Sequence, residues 1–494
     1  MKSRTLACAT AITLFALAQP LQLAAQQPNE TNSSGHKYVF AEVPTFGGPN
    51  AYGAQTSAKD NSLNNAGALT GGADTADADP YCSPNGPDCF AEHAFTFHNG
   101  ILRDLGTLPG GTFPLSSQAF WINESGTAVG FSQNGVIDPL TPNFPELRAV
   151  VWSNGKIIEL GTFGGNHSMA QAVNNRDQVV GFALNAVPDS IEPQPLPTEM
   201  HAFLWDNGVM QDLGTLGGPD SWAMFINDRG QVAGISYPDS EPSSVCDTPG
   251  KNHAFLWEKG HMQDVGTLGG TCSWPEALSN QGQIVGWSAP PGDLTLHPFL
   301  WERGKIRDLG TLGGSFGVAT WVNDLGEVIG SATTENDETL LGFVWKNGVM
   351  TALEPLPGDC VSEAYRNNSR GQIIGASISC DGSFKGVLWE NGTVTDLNTF
   401  VPPGSALEIN AGVLYLNDRG EIAGSDVLLN GDFRFFTLTP VSTGEAASKT
   451  SAARSSDNPF RNAPHGRLTP EMLAALRARL SSRYHICGLV QPKN

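Results

Sequence analysis

HAFLWDNGVMQDLGTLGGPDSWAMFINDRGQVAGIS, residues 201–236, returns as HAFLWEKGHMQDVGTLGGTCSWPEALSNQGQIVGWS from His253 and as HPFLWERGKIRDLGTLGGSFGVATWVNDLGEVIGSA from His297. Weaker copies begin at His93, Ala149, Gly342 and Gly386, and fragments stand at both ends: YVFAEV and PTFGG from Tyr38, and FRFFTLT from Phe433. Within a copy, residues 203–205 and 210–213 flank Asn207-Gly208. Asn-Gly between apolar runs predicts a type I′ hairpin, because both central residues need positive φ. The same pair recurs at Asn99-Gly100, Asn154-Gly155, Asn347-Gly348 and Asn391-Gly392. A second hairpin joins residues 223–226 to 231–235 across Asn227-Asp228-Arg229-Gly230, residue types that turns select.

Four short strands in roughly 45–50 residues is the period of a propeller blade, a unit that must stack on its neighbours to bury its apolar faces. The turns near Asn65, Glu124, Asn175, Asp228, Asn280, Asp324, Asn368 and Asp418 count eight blades; seven remain if one degenerate copy is an insertion. The fragment from Phe433 matches the third strand of a copy and then stops, whereas residues 38–43 match the strand that should follow it. Pairing the two would close the ring and leave no exposed sheet edge. The expected fold is therefore all-β: an eight-bladed propeller of four-stranded antiparallel blades over residues 38–440. The phase places the Ala-x-x-Ile-Asn and Gln-Val-Val-Gly strands inside and the HAFLW and DLG strands outside.

The His-Ala-Phe opening, the D-L-G-T-L-G-G run and the I-N-x-x-G-x-V-x-G close resemble the bacterial extracellular HAF-repeat family. The likeness covers roughly residues 38–439 and implies export and a repeat architecture, with no activity attached. Copies seven and eight depart from it, carrying LEPLPGD and LNTFVPPG in place of LGTLGG.

Outside the repeats, Lys2 and Arg4 precede an apolar stretch over residues 6–18 and small residues at Ala24 and Ala25, the layout of a signal peptide over residues 1–25. Residues 26–37 read as a flexible lead and 441–466 as a Ser/Ala-rich linker. In residues 467–494, Thr469 and Pro470 start a helix with Met472, Leu473, Leu476 and Leu480 opposite Arg477, Arg479 and Arg483. No stretch reaches the roughly 20 apolar residues of a spanning helix, so a secreted, extracellular or periplasmic monomer is expected. The net charge of −21 argues against nucleic acid. Residues 441–494 hold eight Lys and Arg against three acidic residues, net +5, which leaves −26 for the remainder.

Recurrence within the chain separates scaffold from what is left over. The histidines at 93, 201, 253 and 297, the tryptophans at 152, 205, 257, 301, 345 and 389, and Asp104, Asp212, Asp264, Asp308 and Asp396 recur and are expected to pack blades or hold turns. Function is expected on loops that differ between copies. With this phase, the connections between second and third strands and those between successive blades share one face, raised on one side where the former are long in blades one to four.

That face would carry Cys82, Cys89, Cys246, Cys272, Cys360 and Cys380, expected as disulfides in that order, though sequence alone leaves the connectivity open. It also carries the unrepeated His167, Asp220, Trp222, Trp274 and Phe316. These side chains suit a sugar-stacking or peptide-binding surface, or else fold down to seal the central channel. The acidic Asp74, Asp77 and Asp79 would offer oxygen ligands to Ca²⁺ or form a solvated loop, and the cysteine and histidine spacings fit no zinc site. No cofactor is implied. The leading expectation is a non-catalytic scaffold presenting one loop-rich face to a glycan, peptide or surface partner. The alternative is a polysaccharide hydrolase or lyase at the channel mouth, for which Asp220, Asp359 and Glu363 are the carboxylates at hand.

Overall fold

A computed structural model describes residues 38–53, 61–81, 89–140, 144–189, 198–240 and 251–441. The expected signal peptide, flexible lead, linker and basic helix lie outside these residues, as do Cys82, Cys246 and Cys487. The described residues form eight four-stranded antiparallel sheets, so eight blades is the count. In seven of them the strands follow chain order from the channel outward, as in blade four: Ser221–Ile226, Val232–Ser236, His253–Glu258 and His261–Asp264. The eighth is composite: Val413–Leu416, Ile422–Val427 and Phe433–Pro440, with Tyr38–Glu42 as its outermost strand. Tyr38 pairs with Pro440 and Glu42 with Phe436, so the two ends of the repeat region close the ring in one ladder.

The repeated residues show why the sequence folds this way. At each outer turn Asn99, Asn154, Asn207, Asn347 and Asn391 take φ between 50° and 53° and the next residue is glycine, which is the type I′ geometry. Lys259 and Arg303 adopt the same φ in blades four and five, a conformation that is disfavoured for their side chains. In the inner hairpin, the first strand bulges by one residue, between Ala223 and Phe225 in blade four. The bulge brings its carbonyl against the second strand. A methyl group on Gly234 would lie 1.9 Å from the Trp222 carbonyl oxygen, and the same clash awaits Gly130, Gly181, Gly286 and Gly375. The glycine of the V-x-G signature is therefore a steric consequence of the bulge.

The third-strand phenylalanines Phe95, Phe203, Phe255, Phe299, Phe343 and Phe435 are wholly buried. Apolar clusters run from blade to blade: Ala172, Val180 and Leu204 of blade three meet Ala223, Phe255 and Trp257 of blade four. The repeated tryptophans are in these seams, Trp152, Trp257, Trp301, Trp345 and Trp389 buried and Trp205 packed from a partly buried position. The repeated histidines are joined to the repeated aspartates. His201 Nδ1 meets Asp212 Oδ2 at 2.8 Å, and His93–Asp104, His253–Asp264 and His297–Asp308 repeat the pair at 2.8–2.9 Å. The other oxygen of Asp212 accepts the Gly214 N–H at 2.7 Å, which fixes the turn leaving the outer strand. Asp396 does the same for Asn398 at 2.8 Å.

One expectation is corrected in detail. The long connections of blades one to three are not loops throughout, because their second strands, Leu69–Ala78, Ala128–Ile137 and Val179–Pro188, run ten residues against five for Val232–Ser236. They keep pairing beyond the blade, Ala78 with Phe90, Ile137 with Pro145 and Pro188 with Thr198. The raised side of the face is made of projecting hairpins.

Candidate functional site

On the loop-rich face, the five unrepeated residues occupy the starts of inner strands in blades three to six. Four of them are buried: His167, Asp220, Trp274 and Phe316 are 3%, 5%, 3% and 5% exposed. His167 Nδ1 accepts the Leu147 N–H at 3.1 Å, which leaves Nε2 to carry the proton and donate to Asp138 Oδ2 at 3.0 Å. Both ring nitrogens are thereby committed. Asn166 Nδ2 donates to the other Asp138 oxygen at 2.7 Å, and these residues, with Leu140 and Thr198, line a small cavity of about 190 Å³. Asp220 Oδ1 accepts the Met200 N–H at 2.7 Å, ordering the chain as it returns to the blade. Trp274 stacks on Trp287 with ring centres 6.2 Å apart and planes parallel within 1°. Trp222 is half-buried, with Phe182 edge-on at 5.8 Å. Of the five, only Trp222 keeps a partly exposed ring.

This face exposes aliphatic and aromatic side chains on the projecting hairpins, besides Leu294 and Leu429 on the loops of blades five and eight. Val136, Leu140 and Phe144 of blade two are 50%, 55% and 42% exposed, Val187 of blade three 50% and Phe90 of blade one 37%. Cys360 and Cys380 form a disulfide that ties the first and second strands of blade seven together at this face. Cys89 and Cys272 are disulfide-bonded as well, and their expected partners are outside the described residues.

The carboxylates considered for hydrolysis are engaged. Asp359 faces Lys385 Nζ at 3.2 Å and accepts the Ser377 hydroxyl at 2.6 Å, and fully buried Glu363 accepts the Tyr365 hydroxyl at 2.9 Å. Of the three acidic residues weighed for Ca²⁺, Asp74 is wholly buried and accepts the Asn50 N–H at 2.8 Å, while Asp79 accepts the Tyr81 N–H at 2.8 Å.

The opposite face holds the larger cavity, about 290 Å³, at the channel mouth. It is built from the inner turns, whose sequence pattern marks the blades but gives no local sign of a cavity. Two concentric rings of hydrogen bonds run round it. In the inner ring the side-chain amide of each turn's leading Asn donates to the backbone carbonyl of the equivalent residue in the next blade. Asn64, Asn123, Asn174, Asn227, Asn323, Asn368 and Asn417 make seven such bonds of 2.8–3.1 Å. The blade-five residue is Ser279, which has no amide to give. The same asparagines accept N–H groups of their own turns, as Asn227 Oδ1 does from Arg229 and Gln231 at 3.0 Å.

The outer ring is formed by the next residue: Asn65, Glu124, Asn175, Asp228, Asn280, Asp324, Ser369 and Asp418. Backbone N–H groups donate to the side chain one blade on, at 2.8–3.0 Å, in seven places. Amide or hydroxyl and carboxylate alternate strictly round this ring. Asn175 and Asn280 also donate their amides to Asp228 and Asp324, at 2.9 and 3.1 Å. Alternation gives each carboxylate a donor neighbour and keeps like charges two blades apart, which weakens their repulsion.

Beneath the rim, the floor is apolar, formed by Leu63, Ile122, Val173, Ile226, Leu278, Val322 and Leu416, with Trp121 and Trp321 partly exposed at its side. Blade seven alone breaks this floor, with Asn367 at the equivalent position. The guanidinium of Arg366 lies 3.9 Å over the Trp321 ring.

No protein-family model and no curated protein matches the chain. Solved structures match it as a fold. The β-propeller domain of the Trilobed protease from Pyrococcus furiosus is 10% identical over 75% of this chain and 98% of that one, with a TM-score of 0.39. A prolyl endopeptidase structure is 10% identical over 78% of this chain and 55% of that one, at 0.41. An Aleuria aurantia lectin in complex with Fucα1-6GlcNAc is 12% identical over 57% and 96%, at 0.24. The described residues contain no helix long and apolar enough to cross a membrane.

Proposed function

We propose that this chain is an exported, monomeric, non-catalytic scaffold of HAF-type repeats that binds a protein or peptide partner through its loop-rich face. The supporting observation is that the adjacent projecting hairpins of blades one to three each carry exposed apolar side chains, Phe90, Val136, Leu140, Phe144 and Val187. Exposed apolar residues grouped on a raised structure mark an association surface, whereas scattered ones need no explanation. A peptide or protein fits better than a glycan. Of the rings expected to stack on a sugar, Trp274 and Phe316 are inside the protein and Trp222 is half-buried, while the more exposed side chains are mostly aliphatic.

Selection from a displayed peptide library tests this, comparing the immobilised protein with a Leu140→Asp, Phe144→Asp variant that melts at the same temperature. Enrichment of apolar peptides that bind the former and not the latter is the expected result. Equal binding by both, or no enrichment on either, refutes the role given to these hairpins.

A further inference from the structure

We infer that the channel mouth on the inner-turn face is a binding site for an alkyl guanidinium or ammonium group, such as an arginine or lysine side chain. This site is on the face opposite the proposed partner surface and does not depend on it. Three features converge there. The rim supplies four carboxylates, Glu124, Asp228, Asp324 and Asp418, and the cavity is lined by no lysine or arginine. Three of the four rim arginines turn away along the ring: Arg229 donates to Gln281 Oε1 at 2.9 Å, Arg370 to the Arg419 carbonyl at 2.9 Å, and Arg419 to Glu421 at 2.7 Å. The carboxylates are held by the donors described above; Asp418 Oδ1 already accepts both the N–H and the hydroxyl of Ser369, and its second oxygen, like those of Glu124, Asp228 and Asp324, has lone-pair capacity for a further donor.

Inside the rim stands Asn367, 5% exposed, in a position that seven other blades fill with an aliphatic residue. Its amide donates to the Glu327 carbonyl at 3.1 Å, and its buried Oδ1, in a residue lining the cavity, accepts no hydrogen bond. Burying an acceptor without a donor is unfavourable, so a substitution that introduces one into an aliphatic ring costs stability unless a donor arrives. The third feature is the apolar floor in which Asn367 stands, where partly exposed Trp121 and the aliphatic residues would take an alkyl stem. A cation beside an indole face gains further attraction. Carboxylates at the lip, an apolar floor and one buried, unmade acceptor within that floor match a ligand with a positive, donor-rich head on a short apolar stem.

Such a group has two sources: a separate molecule, or the chain's own Arg477, Arg479 and Arg483. The third strand of blade eight, Phe433–Pro440, leaves the sheet at this same face, since Leu438 pairs with Ile422 just after the inner turn.

The test uses isothermal titration of the full-length protein with agmatine, the tripeptide Gly-Arg-Gly and the neutral control pentanol. A second full-length protein carries Arg477→Gln, Arg479→Gln and Arg483→Gln. Binding of agmatine and the tripeptide, but not pentanol, by both proteins is expected for an external ligand. Binding only by the triple variant shows that the tail occupies the same site. Asn367→Leu, which restores the repeat, and the pair Asp228→Asn with Asp324→Asn should each weaken whichever binding is seen by about tenfold, the loss expected for a bond to a charged group. Thermal melting of these variants in the absence of ligand controls for folding. No binding by either protein, equal affinity for pentanol, or binding untouched by substitutions that leave melting unchanged overturns the inference.

Discussion

Asn417 in the eighth blade donates its side-chain amide to the backbone carbonyl of Asn64 in the first, 2.9 Å away and 353 residues apart in sequence. The identical bond joins neighbouring blades elsewhere in the ring, so the two ends of the repeat region are sealed twice: at the perimeter by the ladder of Tyr38–Glu42 with Phe433–Pro440, and at the channel by an asparagine side chain. Asn417→Ala removes this bond and leaves the backbone N–H groups of Arg419 and Glu421 without the Asn417 oxygen that accepts them. A loss of about 2–3 kcal/mol is expected in chemical denaturation, the range for a buried bond removed with partners left behind.

The inverse change fills the one gap. Ser279→Asn places an amide where the Asn323 carbonyl is the equivalent acceptor, and its oxygen can take over the Gln281 and Gln283 N–H groups that Ser279 Oγ now accepts at 3.2 Å. A gain of about 1 kcal/mol is expected, the typical net worth of one hydrogen bond, read as a higher melting temperature. A fall in melting temperature would show that blade five has adapted its backbone to serine.

Gly234→Ala sets a methyl group 1.9 Å from the Trp222 carbonyl oxygen, a backbone atom that cannot move without undoing the bulge. A destabilisation of about 3 kcal/mol is expected, the upper part of the usual overpacking range. Gly100→Ala is the matched control, because nothing lies within 4 Å of its added methyl group and the cost there comes only from its φ of 76°.

These rings also show which parts of the molecule were open to sequence reading. Strand order, blade count and ring closure follow from the Asn-Gly turns and from the complementary fragments at Tyr38 and Phe433, because local turn chemistry fixes them. The alternation from Asn65 to Asp418 and the odd Asn367 were equally visible as columns in the aligned copies, but their meaning depends on which blades become neighbours. The loop-rich face was less legible. Sequence places Trp274 and Phe316 at strand starts near that face, yet whether a ring points outward or packs on Trp287 is decided by tertiary packing that no local pattern encodes. The strand extensions to Ala78, Ile137 and Pro188 were hidden by mixed composition, which reads as loop.

The His201–Asp212 pair makes stability depend on pH in two directions. The bond to Asp212 raises the His201 pKa above 6.5 against the opposing effect of burial. Burial raises the Asp212 carboxyl, but the bonds from His201 and the Gly214 N–H outweigh it and hold it below 3.8. The histidine contribution is complete below 6.5 and lost as pH rises through the raised value, and the aspartate contribution is complete above 3.8 and lost as pH falls through the lowered one. The pair therefore stabilises most between these limits. With Asp212 43% exposed, solvent screening keeps the effect small and salt-sensitive. In low salt, wild type should lose more melting temperature between pH 6 and pH 8 than His201→Gln does; parallel curves would remove the pair from the pH response.

At the alkaline end the closing strand itself becomes the sensitive element. Burial, and then the Glu390 carboxylate, push the Tyr38 phenol up to about 12 from its ordinary 10.0. The folded state therefore holds this proton where the unfolded chain has released it. Between pH 10 and 12 the proton count favours unfolding progressively, so stability falls as pH rises. Tyr38 packs against Phe400 with ring centres 4.8 Å apart and pairs with Pro440, so ionisation would act directly on the ladder that joins the two ends. Tyr38→Phe keeps the ring and deletes the titration. Its unfolding free energy, measured against urea from pH 7.5 to 11.5, should decline less steeply than that of wild type above pH 9, while the two agree in slope below it. Identical slopes across the whole range would place the alkaline loss elsewhere in the wheel and free the terminal strand of any part in it.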